Sequence, residues 1–130
     1  MGSRADLKGL LLVDKERGPT SHDVVAALRR LLGIRRIGHC GTLDPLATGL
    51  MVLCVGNYTR LNPWLTAADK QYRAAITLGA TSNTDDAEGQ ITQTDFRGSI
   101  SPIAVEDCIE GFLGEIEQVP PDRKSTRLNS

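Results

Sequence analysis

One carboxylate stands out by its surroundings. Asp44 lies in Gly38-His39-Cys40-Gly41-Thr42-Leu43-Asp44-Pro45-Leu46-Ala47-Thr48-Gly49, which sets three glycines and a proline in twelve residues. Turn formers at that density make an ordered loop rather than a helix or strand. Glycines there also let the backbone come close to a bound molecule. A carboxylate held by such a loop is anionic at neutral pH and can bond to, or stabilise, an electron-poor centre. The same residues have a plainer use, since Asp before Pro is a common way to cap and start a helical turn. Spacing alone leaves both readings open.

Other chemistries fit the segment poorly. A phosphate-binding loop closes with Gly-Lys-Ser/Thr, and no lysine occurs between Arg36 and Lys70. His39 and Cys40 are adjacent metal-ligand types, but no second pair sits at ligand spacing. The three cysteines, Cys40, Cys54 and Cys108, form no Cys-x-x-Cys pair, so neither a zinc site nor a disulfide framework is expected. Ser21 and His22 suit a helix cap and first turn better than a nucleophilic triad. No metal and no cofactor are expected.

The elements around this loop follow from apolar spacing. Leu10 to Val13 reads as a buried strand. Gly18-Pro19-Thr20-Ser21 breaks the chain and offers a hydroxyl as N-cap. Val24, Val25, Leu28, Leu31 and Leu32 then recur at helical spacing up to Gly33. After the loop, Leu50 to Val55 reads as a second buried strand ended by Gly56. Tyr58 to Ala68 suits a short helix that Pro63 makes irregular. Tyr72, Ala74, Ile76 and Leu78 alternate through Gln71–Gly79 as in a half-buried strand. Ala80 to Gly89 reads as a polar surface loop, and Gln90 to Thr94 as one more strand. Ser101-Pro102 opens a helix whose apolar face is Val105, Ile109, Phe112 and Leu113, ended by Gly114. Strands mixed with helices, without regular βαβ repeats, predict an α+β domain: a mixed, largely antiparallel sheet with flanking helices.

Composition agrees with one soluble globular domain: 130 residues, 40% hydrophobic and 24% charged. Only 4% is aromatic, so the core must rest on aliphatic side chains. The longest apolar run, Leu50–Val55, is far too short for a membrane span, and the N-terminus has no signal-peptide character, so a cytoplasmic protein is expected. Charge is polarised within a net of −1. Residues 1–36 carry a net of +4 and residues 83–118 a net of −8. The basic end could meet a polyanion. Basic residues near a helix C-terminus such as Arg29 and Arg30 also complement the helix dipole.

Residues 38–49 closely resemble the signature Gly-His-x-Gly-Thr-Leu-Asp-Pro-x-Ala-x-Gly of the TruB-type tRNA pseudouridine-55 synthases. Leu12-Val13-Asp14-Lys15 with Gly18-Pro19-Thr20-Ser21 is similar to that family's first motif, although Glu16 stands where proline is usual. Asp69-Lys70-Gln71-Tyr72 and Thr84-Asp85-Asp86-Ala87-Glu88-Gly89 resemble two further motifs in the same order. The resemblance implies a pseudouridine synthase catalytic domain that isomerises a uridine in the T-loop of tRNA, at position 55, without metal or cofactor. Asp44 would be the essential carboxylate. His39 would contact the flipped-out nucleotide or fill its place in the RNA, and Tyr72 would stack on the target base. Lys15, Arg29, Arg30, Arg35 and Arg36 would follow the phosphates of the T stem-loop. A monomer is expected.

Two features qualify that picture. Asp122-Arg123-Lys124-Ser125-Thr126-Arg127-Leu128-Asn129-Ser130 has no apolar periodicity and back-translates into a common short-read sequencing adapter. The expected organisation is therefore an N-terminal part of the catalytic domain over 1–121 and a non-native tail over 122–130. After Pro121 the family continues with an aromatic-Ser-Ala-x-Lys segment, a Tyr-Ile-Arg-type motif whose arginine pairs with the aspartate, and a small RNA-binding domain. The 130-residue chain is thus expected to be inactive by itself. The competing readings are a non-catalytic, RNA-binding truncated paralogue and a nucleotide-binding domain that uses the glycine loop.

Overall fold

The structure, a computed structural model, describes residues 7–95 and 98–119. The chain divides after Tyr72 into two compact units.

The first unit is built on strands β1 (Gly9–Lys15), β2 (Ile37–His39) and β3 (Gly49–Val55), with helix α1 (Ser21–Leu32) between β1 and β2. The strands form one antiparallel sheet in the order β1-β3-β2, with Lys15 opposite Gly49, Leu12 opposite Val52 and His39 opposite Leu53. Because side chains alternate across a strand, Leu11, Val13 and Lys15 share a face with Met51, Leu53 and Ile37. That face and α1 make the core of Val25, Ile37, Met51, Leu53 and Val55, ringed by Leu11, Val13, Val24, Leu28, Leu32, Ile34 and Leu43. It is aliphatic throughout, as the composition requires.

Helix α1 has both ends written into the sequence. The Thr20 hydroxyl accepts from the Asp23 amide at 3.1 Å while the Asp23 carboxylate accepts from the Thr20 amide at 2.9 Å, a complete capping box. Gly33 closes the helix at φ 68°, the left-handed conformation that glycine adopts without a Cβ penalty. Beyond β3 the chain forms a 3-10 turn over Gly56–Leu61 and then α2 (Asn62–Ala67), with Pro63 in the first helical turn, where its missing N–H costs nothing.

The second unit pairs β4 (Ala80–Ser82) with β5 (Ile91–Gln93) antiparallel and adds α3 (Pro102–Glu110). The Ser101 hydroxyl caps α3, accepting from the Ala104 amide at 3.1 Å. Between β4 and β5, a side chain on Gly89 would collide with the Ser82 and Thr84 hydroxyls, so the turn closes only around glycine.

Several expectations need correction. Helix α3 ends at Glu110 rather than at Gly114, which leaves Phe112 and Leu113 beyond it and exposed. Strand β1 is buried on one face alone, with Leu10 and Leu12 exposed. Residues 71–79 alternate in polarity yet form no strand, and Tyr72, Ile76 and Leu78 are exposed. Alternation supplies a face, but a strand also needs a neighbour for its N–H and C=O groups. Among the described residues no strand pairs along this segment, although the Thr94 amide donates to the Gly79 carbonyl at its very end at 2.9 Å. Conversely, β4 lies inside the segment expected to be all loop. The α+β class and the antiparallel pairing agree with expectation. Pro121 and the tail over 122–130 lie outside the described residues.

Candidate active site

The loop joining β2 to β3 is fixed from three directions before any substrate is considered. From β1, the Lys15 side chain is only 2% exposed and its Nζ donates to the carbonyls of Ala47 at 2.7 Å, Glu16 at 2.9 Å and Pro45 at 3.3 Å. An ammonium has three donors and no acceptor, so three carbonyls satisfy it fully. From the start of α1, the buried Ser21 hydroxyl both donates to the Leu43 carbonyl and accepts from the Leu43 amide, each at 2.9 Å. From the turn between them, the Gly18 amide donates to the Pro45 carbonyl at 2.8 Å.

Asp44 sits between these anchors. Its neighbours Leu43 and Pro45 are both pinned, its own carbonyl accepts from the Ala47 amide at 3.0 Å, and the residue is exposed. Asp44 is thus an exposed residue on a tight turn whose flanking peptides are held by hydrogen bonds from distant segments. The Lys15 ammonium lies under the same turn, a fixed positive charge beneath the aspartate segment.

His39 ends β2, half-buried, with Nδ1 2.8 Å from the Gly41 carbonyl. A carbonyl only accepts, so Nδ1 carries the proton and a neutral ring leaves Nε2 as an acceptor. Gly41 holds φ 123°, which gives the chain its sharp exit from the strand.

Tyr72 meets the loop across a cleft of about 380 Å³. Cys40, Gly41, Thr42 and Leu43 line one side, and Leu65 and residues 68–72 the other. That volume falls in the range of small-ligand pockets. Lys70 ties the two sides together. Its ammonium caps the end of α2 through the Thr66 and Ala68 carbonyls, and its stem covers Gly41, where a Cβ would stand 3.5 Å from Cε. Asp44 and His39 are not among the cleft-lining residues, although Asp44 directly follows Leu43.

The expected phosphate contacts divide. Arg30 and Arg35 are exposed at and beyond the end of α1. Arg29 reaches back to the Ile37 carbonyl at 2.8 Å, and Arg36 binds Thr59 Oγ1 at 2.8 Å and Asn57 Oδ1 at 3.2 Å, so each also braces β2 or the 3-10 turn. Lys15 differs from its expected place, because it is enclosed under the loop rather than set on the basic surface. Sequence reasoning gave Ser21 no part in the site beyond helix capping. Its bond to Leu43 spans 22 positions, and no local pattern signals such a contact.

Cys40 and Cys54 are both buried, with Sγ atoms 3.3 Å apart, and burial pushes the Cys40 thiol up to about 12. Among the described residues no group of three or more His, Cys, Asp or Glu side chains is arranged to hold a metal, and no helix is long and apolar enough to cross a membrane.

Comparison with known proteins places this geometry in context. The family model described as TruB family pseudouridylate synthase (N terminal domain) matches residues 29–130. The chain is 47% identical over 115 residues to tRNA pseudouridine synthase B of Syntrophotalea carbinolica, covering 88% of this chain and 38% of that protein. It is 50% identical over 115 residues to the enzyme of the same name from Leifsonia xyli subsp. xyli, covering 86% and 38%. Among solved structures, a Cbf5-Nop10-Gar1 complex contains a chain that matches with a TM-score of 0.60 at 25% identity, over 92% of this chain and 31% of its own length. The chain thus spans about two fifths of the length of these curated relatives.

Proposed function

Since the chain belongs to the TruB family of pseudouridylate synthases, we propose that it is the N-terminal part of an enzyme that isomerises a uridine in the T-loop of tRNA, at position 55, with Asp44 as the essential carboxylate. The observation that carries this reading is the clamped turn: Leu43 and Pro45 are both fixed by bonds from distant segments, and Asp44 between them faces solvent. A loop built only to connect two strands has no need of a buried ammonium and a buried hydroxyl beneath one carboxylate.

The reaction breaks the N-glycosidic bond, turns the base, and rejoins it to the sugar through carbon. Atoms are conserved, so neither an oxidant nor a cofactor is consumed. Asp44 serves the electron-poor centre exposed when the glycosidic bond breaks, by bonding or by charge. A target nucleotide must leave the RNA stack to reach it. His39, with Nε2 directed by the Nδ1 bond, is suited to the flipped nucleotide or to the gap it leaves. Tyr72 supplies a face on which the base stacks. Arg29, Arg30, Arg35 and Arg36 hold the phosphates of the T stem-loop, while Lys15 contributes by fixing the loop.

In this reading residues 1–121 are the N-terminal part of the catalytic domain and residues 122–130 a non-native tail, and the protein works as a cytoplasmic monomer. The 130 residues hold no Tyr-Ile-Arg motif to pair with Asp44, and alone they are expected to be inactive. A chimera joining residues 1–121 to the remaining part of the Syntrophotalea carbinolica relative tests this. It should form pseudouridine in a T-arm RNA, whereas the 130-residue chain should leave that RNA unchanged. A chimera that folds and binds without converting uridine would favour the non-catalytic, RNA-binding alternative.

A further inference from the structure

Cys40 occupies the variable position of the Gly-His-x-Gly signature, so the chemistry of uridine isomerisation does not call for a thiol there. Its amide donates to the Val52 carbonyl at 2.8 Å, which continues the β2–β3 pairing by one residue beyond His39. In that register Cys40 lies diagonally from Cys54, and the residue directly opposite Cys54 is Gly38. Diagonal neighbours on one sheet face reach each other when nothing stands between them. Gly38 contributes no side chain, and the two sulfurs meet at 3.3 Å. Cys54 is fully enclosed, whereas Cys40 keeps 8% of its surface and lines the cleft.

We propose that Cys40 and Cys54 are a thiol modification site, oxidised by a hydroperoxide entering the cleft to an intramolecular disulfide that displaces His39. In the first step the small thiolate fraction of Cys40 attacks the peroxide, the O–O bond breaks, and Cys40 becomes a sulfenic acid. The leaving oxygen takes up the thiol proton and departs as water from hydrogen peroxide, or as an alcohol from an organic hydroperoxide. Burial keeps that thiolate fraction small, so the step is slow at neutral pH and quickens as pH rises. In the second step the Cys54 sulfur attacks the Cys40 sulfur, the S–O bond breaks, and the departing hydroxide takes up the remaining thiol proton as a second water. With hydrogen peroxide the balance is two thiols and one peroxide to one disulfide and two waters. A disulfide needs the sulfurs about 2.05 Å apart. Closing from 3.3 Å draws Cys40 toward β3, and Cys40 links His39 to Gly41, whose carbonyl fixes the His39 ring. On the function proposed above, this makes the site sensitive to oxidation.

The test needs no RNA, so its failure is separable from failure of that function. The chain carrying Cys108→Ser, which removes the exposed third thiol, is treated with hydrogen peroxide, unfolded, alkylated and peptide-mapped. The expected product has lost two hydrogens, contains a peptide joining positions 40 and 54, and is restored by dithiothreitol. The ring NMR signals of His39 should move on oxidation while those of His22, exposed on α1, stay in place. In the Cys54→Ser variant, Cys40 should instead give a sulfenic acid trapped by dimedone. Retention of two alkylatable thiols, a disulfide between two chains, or unmoved His39 signals in the crosslinked chain would overturn the proposal. The first measurement uses both native cysteines, so misfolding of Cys54→Ser does not spare it.

Discussion

Ser21 and Leu43, 22 positions apart, are joined by two hydrogen bonds through a single hydroxyl, which donates to the Leu43 carbonyl and accepts from the Leu43 amide at 2.9 Å each. The first residue of α1 therefore dictates the peptide that precedes Asp44. Helix, strand and loop become one mechanical unit at that point, and the position of the carboxylate depends on how α1 begins.

Replacing Ser21 with alanine removes both bonds and leaves a partly buried N–H and C=O without that partner. A loss of about 1–3 kcal/mol in unfolding free energy is expected. Urea denaturation measures it. Hydrogen exchange should accelerate at Leu43 and Ala47 more than along the middle of α1.

Lys15 and the exposed arginines should separate in their response to salt. Arg30→Gln and Arg35→Gln are each expected to weaken T-arm RNA binding and to lower the slope of log affinity against log salt by about one. Lys15→Met should leave that slope unchanged. It should destabilise the fold by roughly 1.5–3 kcal/mol, because three carbonyls lose a charged donor. A salt titration by fluorescence anisotropy, paired with thermal unfolding, distinguishes the two behaviours.

The contrast between Lys15 and Arg30 also marks how far sequence could be read. The N-cap at Thr20, the left-handed Gly33 and the apolar run in β3 are local patterns, so α1 and β3 fell where their residues indicate. The loop around Asp44 was legible too, because its glycines and proline are contiguous. What holds the loop was not legible. Ser21 to Leu43 and Lys15 to Ala47 are contacts between distant positions, and a lysine reads as surface charge until a fold encloses it. Residues 71–79 failed for the opposite reason, since their alternation is local while strand pairing is not.

The capping box also carries a pH signature. The Thr20 hydroxyl and amide both bond the Asp23 carboxylate and lower its pKa from the ordinary 3.8. A group depressed in the folded state adds stability above its unfolded pKa and loses it as pH falls through the folded value. Thr20→Ala should cost about 1 kcal/mol at neutral pH. The gap between variant and native chain should narrow as pH drops below 3.8, which thermal unfolding at a series of pH values will reveal.

With its thiol pushed up to about 12, Cys40 holds very little thiolate at neutral pH. Only the thiolate reacts, so alkylation of folded Cys40 by iodoacetamide should be slow and rise about tenfold per pH unit between 7 and 9 without levelling. A rate that is flat over this range would show that the thiol is already ionised. Peptide mapping after timed quenching gives the rate at Cys40 separately from that at Cys108.

The most direct test is pseudouridine formation in a T-arm RNA by the chimera of residues 1–121 with the Syntrophotalea carbinolica relative, compared with the same chimera carrying Asp44→Asn. The pinned loop should hold asparagine where it holds aspartate, so RNA affinity should change less than about threefold while conversion falls below detection. An Asp44→Asn protein that still converts uridine, or one whose binding falls as far as its turnover, would contradict Asp44 as the catalytic carboxylate.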